Sequence, residues 1–359
     1  MSTSPSNVQS VDSSLRLDRS QIEAAVALLR QGGLVAFPTE TVYGLGADAE
    51  SPAALDRLYT VKGRPKGHPV IVHLASYEQL ENWAVEIPKA AWKLAHAFWP
   101  GPLTLVLKRS ARVLNAVTGG QDTVGLRVPA HPVALQLLKA FGGGIAAPSA
   151  NRFGRLSPTR AEHVRADLGD DVSMILDGGD CQVGVESTIV AFPEGQPVIL
   201  RPGMISAEQI EAVLQSDSLE SSSGMQAESR ASDHIESRTA PAPGKTSVIH
   251  APGTLASHYA PRTPLLLVSS DDLNEKLTVA EGSRIGVLAL QFLPQALAEQ
   301  RGLVWKVMPA DPEEYARQLY AALREMDGQS LQQIWVEEVP NDGAWVAVAD
   351  RLKRAAYQG

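Results

Sequence analysis

The sequence predicts an α/β protein: one large, mostly buried twisted sheet with flanking helices, followed by a second, smaller α/β module. Short runs rich in Val, Ile and Leu alternate with segments whose apolar residues recur at helical spacing. A serine-rich, proline-punctuated and aperiodic stretch at 216–247 interrupts that alternation, and beyond it the alternation resumes on a smaller scale. A chain of 359 residues is long enough for two cores. Residues 1–16 therefore read as a disordered tail, 17–214 as the first domain, 215–262 as a flexible linker and 263–359 as the second domain.

Order is expected to begin at Ser20, which stands three residues before Glu23 at capping-box spacing. Ile22, Ala25, Val26 and Leu29 then share a helix face until Gly32-Gly33 stops it. Strands are predicted at Leu34–Phe37, Val70–Leu74, Leu103–Leu107, Val124–Val128, Ile145–Ala147, Met174–Leu176, Thr188–Ala191 and Val198–Leu200. Helices are predicted at Pro52–Val61, Pro88–Phe98, Pro132–Phe141, Pro158–Leu168 and Ala207–Leu214. Ser51-Pro52 and Ser157-Pro158 look like helix starts, where the missing proline N–H costs nothing. In the second module, strands at Leu265–Val268, Ile285–Leu290, Val304–Val307 and Ile334–Val339 alternate with helices near Pro294–Gln300, at Pro312–Met326 and from Ala344. That order suggests a small three-layer, Rossmann-like unit, yet it contains no G-x-G-x-x-G, so dinucleotide binding has no support there.

Composition narrows the function. Hydrophobic content of 44% and charged content of 20% are ordinary for a soluble globular protein. The single cysteine, Cys181, excludes an intrachain disulfide and a multi-thiolate zinc site, and reads as a small buried hydrophobe. A net charge of -8 argues against a protein devoted wholly to gripping nucleic acid. With no signal-peptide pattern and no apolar run near the roughly 20 residues that span a bilayer, a cytoplasmic protein is expected.

Several segments could carry chemistry. Lys62, Arg64, Lys66 and His68 alternate with small or rigid residues between a helix end and a strand start. Such a loop suits a polyphosphate, or is simply a solvated basic turn. Ser149 and Asn151 follow a strand that ends in small residues, where phosphate or ribose binding competes with a cap or Asx turn. Thr41 lies in a polar, glycine-bearing turn, and Arg127 sits inside an apolar strand, where it needs a carboxylate from the protein or from a substrate. His73 reads as a core histidine and Ser187 as a local hydrogen-bonder. Gly244-Lys245-Thr246 only imitates a P-loop: Thr239 stands where glycine is required, and no strand precedes it.

Taken in order, PTETVYGLG at 38–46, KGRPKGHPVIVH at 62–73, WPGPLTLVL at 99–107, GLRVPAHP at 125–132, APSANRFGRLSPT at 147–159, ESTIV at 186–190 and LRPG at 200–203 resemble the L-threonylcarbamoyladenylate synthase family. The segment His258-Tyr259-Ala260-Pro261 and the second module resemble its long, two-domain form. The resemblance implies a YrdC-like twisted mixed sheet and a nucleotidyltransferase that makes threonylcarbamoyladenylate and pyrophosphate from L-threonine, bicarbonate or CO2, and ATP. It implies a place in tRNA modification, Mg2+ accompanying ATP, and a threonylcarbamoyl-transferase machinery as partner. Residue by residue, it implies Lys62 and Arg64 as catalytic cations. ATP contacts fall on these two and on His68, Thr123, Ser149, Asn151, Ser157, Arg201 and Tyr259, with His68 standing where the family commonly has Asn. Threonine contacts fall on Thr41, His73, Arg127, the backbone of Ala147, and Ser187. The rival reading is a module that weakly holds RNA without turning over ATP. A carbamoyltransferase of the hydrogenase-maturation type needs cysteine-rich zinc segments that one cysteine cannot build. The tethered second domain is expected to act as a lid over the labile product.

Overall fold

A computed structural model describes residues 18–220, 249–253, 255, 258–279, 284–293 and 302–357. The tail at 1–16, the helix expected near 294–300 and the linker at 221–248 lie outside the described residues. The larger sheet contains β1 (Val35–Phe37), β2 (Gly44–Asp48), β3 (Ile71–His73), β4 (Leu103–Lys108), β5 (Thr123–Arg127), β6 (Ile145–Ala146), β7 (Met174–Ile175), β8 (Thr188–Ala191) and β9 (Val198–Arg201). Their order is β7-β1-β2-β6-β3-β5-β4-β8-β9. It is a mixed sheet: β3–β5, β4–β8 and β1–β7 are parallel pairs, and the remaining neighbours are antiparallel. Strands β1, β3 and β8 are buried along their whole length, and Ile71 of β3 and Ile189 and Ala191 of β8 pack with Ala251 of the segment that precedes Tyr259.

Local chemistry sets the helix ends. Helix α1 (Arg19–Arg30) is capped by Asp18, whose carboxylate accepts from the Ser20 backbone N–H at 3.4 Å and from its hydroxyl at 3.0 Å. The box expected at Ser20 does not form, because Glu23 pairs with Arg19 instead. Helix α2 (Pro52–Lys62) starts on Ser51, whose hydroxyl accepts from Ala54 N–H, and stops at Gly63, whose φ of 62° is the left-handed cap glycine favours. The helix read from Pro158 begins only at Ala161, since the Ser157 hydroxyl is taken by Glu186 rather than by a helix N–H. The helix from Ala207 continues past Leu214 to Glu220, so residues 215–220 are helical where linker was expected. Strand β2 was read as part of a turn. Gly44 and Gly46 weaken its strand signal, yet a side chain at Gly46 would meet Phe37 and the Val35 carbonyl across the pair.

The smaller sheet is all-parallel: β10 (Leu265–Val268), β11 (Ile285–Ala289), β12 (Leu303–Val307) and β13 (Gln333–Glu337), in the order β10-β13-β11-β12. Helices Ser270–Val279, Pro312–Asp327 and Val346–Ala356 accompany it. Asp311 caps the second of these, accepting from Glu314 N–H at 2.9 Å. The two units share a core: Val42, Leu156, Val185 and Tyr259 pack in one cluster with Tyr315, Leu319 and Tyr320. Arg324 spans the boundary with a fork on Asp167, at 3.0 and 2.6 Å.

Leu126 is fully buried on β5, between β3 and β4. Leu126→Ala is expected to destabilise the fold by about 2–5 kcal/mol, read as a lower urea midpoint at unchanged slope. A loss below about 1 kcal/mol would mean that the sheet centre tolerates a cavity that close packing forbids.

Candidate active site

One small cavity gathers residues from six of the seven quoted motifs and from the segment ending at Tyr259. The β1–β2 connection brings Thr39, Thr41 and Val42; the α2–β3 loop and β3 bring Arg64 and His73. Arg127 ends β5, Ala147 to Ser149 follow β6, Glu186 and Ser187 precede β8, and Arg201 ends β9. The remaining motif, 99–107, stands directly behind: the Gly101 carbonyl accepts from Arg127 Nε at 3.2 Å, and Thr104 and Ser187 share a hydrogen bond of 2.7 Å.

At one end Arg127 donates through Nη1 to the Thr41 hydroxyl at 2.9 Å. Its Nη2 lies 2.7 Å from Glu40 Oε1, close enough for an ion pair but misaligned for a hydrogen bond, so that contact is coulombic. The other Glu40 oxygen accepts from Ala130 N–H. The protein carboxylate that a buried arginine demands is therefore present, while Arg127 still faces the cavity. Beside it, buried His73 has no hydrogen-bond partner for Nδ1 among the described residues. Burial, reinforced by the Arg127 charge, lowers its pKa to about 3, so the ring stays neutral near pH 7.

At the other end Lys62 Nζ donates to the carbonyl of Ser149 and, at 2.7 Å, to that of Asn151. The Lys and the Ser-x-Asn segment thus meet, with Ser149 on the cavity wall and Lys62 and Asn151 one layer behind. Arg64 lines the wall, its Nη2 donating to the Pro69 carbonyl at 2.7 Å and its guanidinium 5.4 Å from the Phe153 ring. Arg201 donates to the Ser187 carbonyl at 2.9 Å, to the Pro252 carbonyl at 3.0 Å and to the Tyr259 hydroxyl at 3.5 Å. Tyr259 is buried, at a φ of 59°.

Besides Lys62 and Asn151, three more expected contacts lie off this wall. His68 packs edge-on against Phe153, Ser157 faces away toward Glu186, and Thr123 pairs with Lys108 at the end of β5 opposite Arg127. Lys66 turns to solvent and pairs with Asp56. Sequence reasoning missed Glu40, Glu186 and His258, and from the second unit Arg351 and Tyr320. The two glutamates were signalled only by lying next to chosen residues in buried motifs.

Charge is unevenly distributed. Lys62, Arg64, Arg127, Arg201 and Arg351 are all buried here, against the carboxylates of Glu40 and Glu186. Burial pulls the Lys62 amine well below the usual lysine range, and the Arg64 charge pulls it further. Burial would raise Glu186, but Arg351, Arg201 and the Ser157 hydroxyl hold it down to about 2. The cavity offers about 50 Å³, room for a few waters at about 10–15 Å³ each. Pro252, Gly253, His258 and Tyr259 close one side of it. A larger cleft of about 1110 Å³ opens between Ala161–Leu168 and Pro312–Asp327. Many of its cations are already neutralised, as in Arg160–Asp180, Arg324–Asp167 and Lys306–Glu325.

His73 and His258 both have pKa values lowered by burial to about 3, from an ordinary 6.5. The unfolded chain takes up protons there as pH falls through the ordinary value, and the folded chain does not. Their stabilising effect is whole above that value and is lost progressively toward pH 3. Glu186 adds a further loss between its ordinary 4.5 and about 2. The thermal midpoint is expected to fall steadily from about pH 7 to about pH 4; a flat profile would show that these rings protonate within the fold.

Known proteins resemble this chain over most of its length. The family profile described as "Telomere recombination" matches residues 27–203, and that described as "Threonylcarbamoyl-AMP synthase, C-terminal domain" matches residues 205–357. The threonylcarbamoyl-AMP synthase of Pyrococcus abyssi is 40% identical, with 95% of each chain covered. That of Bacillus subtilis is 39% identical over 94% of this chain and 93% of its own. The crystal structure of P. abyssi Sua5 complexed with L-threonine superposes with a TM-score of 0.82 at 39% identity, covering 95% of each chain. With both profiles in register and relatives matched end to end, this chain belongs to the threonylcarbamoyl-AMP synthase family.

Proposed function

We infer that this chain joins L-threonine, bicarbonate or CO2, and ATP into threonylcarbamoyl-AMP and pyrophosphate, the activated group used to modify the tRNA adenosine next to the anticodon. The observation that carries this reading is the surplus of buried cations over carboxylates around one cavity, beside a pocket of hydroxyls and an unpartnered histidine nitrogen. Buried positive charge without matching carboxylates is a costly arrangement that an anionic substrate relieves.

In this reading the threonine amine adds to CO2 and loses a proton, giving a carbamate. A carbamate oxygen attacks the α-phosphorus of ATP; the bond to the β-phosphate bridging oxygen breaks, and pyrophosphate leaves with its electron pair. Arg127 meets the threonine carboxylate as a fork, with Thr41, Ser187 and the Ala147 backbone around it. Neutral His73 offers Nδ1 to the amino acid's polar groups. Arg64, Arg201 and Ser149 face the phosphates, where fixed charge stabilises the departing pyrophosphate. Lys62, whose amine burial pulls below the usual lysine range, holds its proton more firmly as phosphate approaches. Asn151, Ser157, His68, Thr123 and Tyr259 complete the nucleotide contacts once the covering segment shifts to admit ATP.

Mg2+ enters with the triphosphate in this reading. The wall offers it no idle carboxylate, since Glu40 is engaged by Arg127 and Ala130, and Glu186 by Ser157, Tyr320 and Arg351. Phosphate oxygens and water supply its ligands. No helix among the described residues is long and apolar enough to cross a membrane. A cytoplasmic setting, with a separate machinery that carries the threonylcarbamoyl group to tRNA, completes the proposal.

The deciding experiment measures pyrophosphate release while omitting ATP, threonine and bicarbonate in turn; release must need all three. Arg64→Ala is expected to lower turnover by about 10²–10³. Arg127→Ala is expected to raise the threonine requirement while leaving the KM for ATP near that of the parent. Release without threonine would refute the threonine-dependent reaction, no release with all three present would leave the RNA-holding module as the surviving alternative, and the reverse KM pattern would exchange the two pockets.

A further inference from the structure

Glu186 lines the cavity and precedes Ser187, yet its carboxylate is committed elsewhere. Ser157 donates to Oε1 at 2.6 Å, and the Tyr320 hydroxyl donates to Oε2 at 3.0 Å. Arg351, fully buried on the last helix of the second unit, donates through Nε to Oε2 at 2.7 Å and through Nη2 to the Glu186 carbonyl at 3.2 Å. Its Nη1 reaches the Pro202 carbonyl at 3.0 Å, and its guanidinium carbon lies 5.3 Å from the centre of the Tyr259 ring. One side chain of the second unit thus grips the backbone before Ser187, the backbone after Arg201 and the face of Tyr259.

We propose that Arg351, seconded by Tyr320, is a positioning residue through which the second unit sets the substrate pocket of the first. It touches no substrate. It fixes the approach of β8 and the exit of β9, and these carry Ser187 and Arg201. The proposal rests on the assignment of those two residues to substrate. A buried ion pair adds little net stability compared with a well-packed apolar pair, so simple adhesion between the units does not call for one. An arginine does what an apolar side chain cannot: its planar fork orients a carboxylate and two carbonyls at once. Without Arg351 the Glu186 carboxylate loses its main counter-charge on the wall where an anionic substrate must sit. The pocket then loosens at Ser187.

The test uses the full chain and pyrophosphate release with threonine and ATP varied separately, together with threonine binding by calorimetry. Arg351→Met, similar in bulk but without the fork, is expected to raise the threonine KM and dissociation constant by about tenfold or more, within the usual range for coupled sites, with a smaller change in kcat. Arg351→Lys, which still reaches one carboxylate, recovers part of the loss. The double variant Arg351→Met with Glu186→Gln is no worse than Arg351→Met alone, because both act through one contact. An unchanged threonine KM in Arg351→Met, or additive losses in the double variant, overturns the proposal. Should circular dichroism show Arg351→Met unfolded, Tyr320→Phe decides: a several-fold higher threonine KM supports the proposal, and an unchanged KM overturns it. If the parent chain itself releases pyrophosphate without threonine, the functional reading fails first, and the two failures are told apart.

Discussion

A cation removed from water must be met by something, and in this molecule it is met mainly by backbone carbonyls. Lys62 is held by the carbonyls of Ser149 and Asn151, Arg64 by that of Pro69, and Arg201 by those of Ser187 and Pro252. Carbonyl partners satisfy the N–H donors while leaving the charge itself uncancelled. The cavity therefore keeps its positive potential. The same bonds work in the other direction: each cation pins the loop that supplies its acceptor, so the loops that follow the strands are fixed by the very groups they present. Arg127 and Arg351 are the exceptions, the first sharing its charge with Glu40 and the second with Glu186 and Asp350.

The mixed sheet makes this convergence possible. Parallel pairing of β3 with β5 sets the His73 and Arg127 backbones directly side by side. Antiparallel pairing of β8 with β9 returns Arg201 to the beginning of β8, beside Ser187. The second unit adds its own constraint from outside the sheet, since Tyr320 and Arg351 reach the same carboxylate from two helices. Site and interface between units are one hydrogen-bonded body.

Much of this was legible in the residues. Strand–helix alternation gave both sheets nearly strand for strand, and the polar segments at strand ends proved to be neighbours. Other features left no local trace. Arg351 and Glu186 are 165 residues apart, and nothing around Arg351 distinguishes it from the other cations of an amphipathic helix. The need of Arg127 for a carboxylate was visible, but Glu40 as its partner was not, because ion pairs follow from topology rather than spacing. Strand β2 was hidden by its glycines, which are needed for contact across the pair and weaken the very signal by which strands are read. The Asp18 cap was overlooked because Ser20 offered a better-known pattern two residues on, whereas the side chain actually placed to accept decides the outcome.

The first helix and strand depend on much later parts of the chain. The apolar face of α1, Ile22, Ala25, Val26 and Leu29, packs against Val133, Ala134, Leu137 and Leu138 of the helix Pro132–Phe141, and β1 takes β7 as its parallel neighbour. On the ribosome, at roughly 5–20 residues per second, that greasy face waits on the order of ten seconds before its cover is synthesised. The nascent N-terminal segment is thus a natural client for chaperones, and translation speed between α1 and its partner bears on the yield of folded protein.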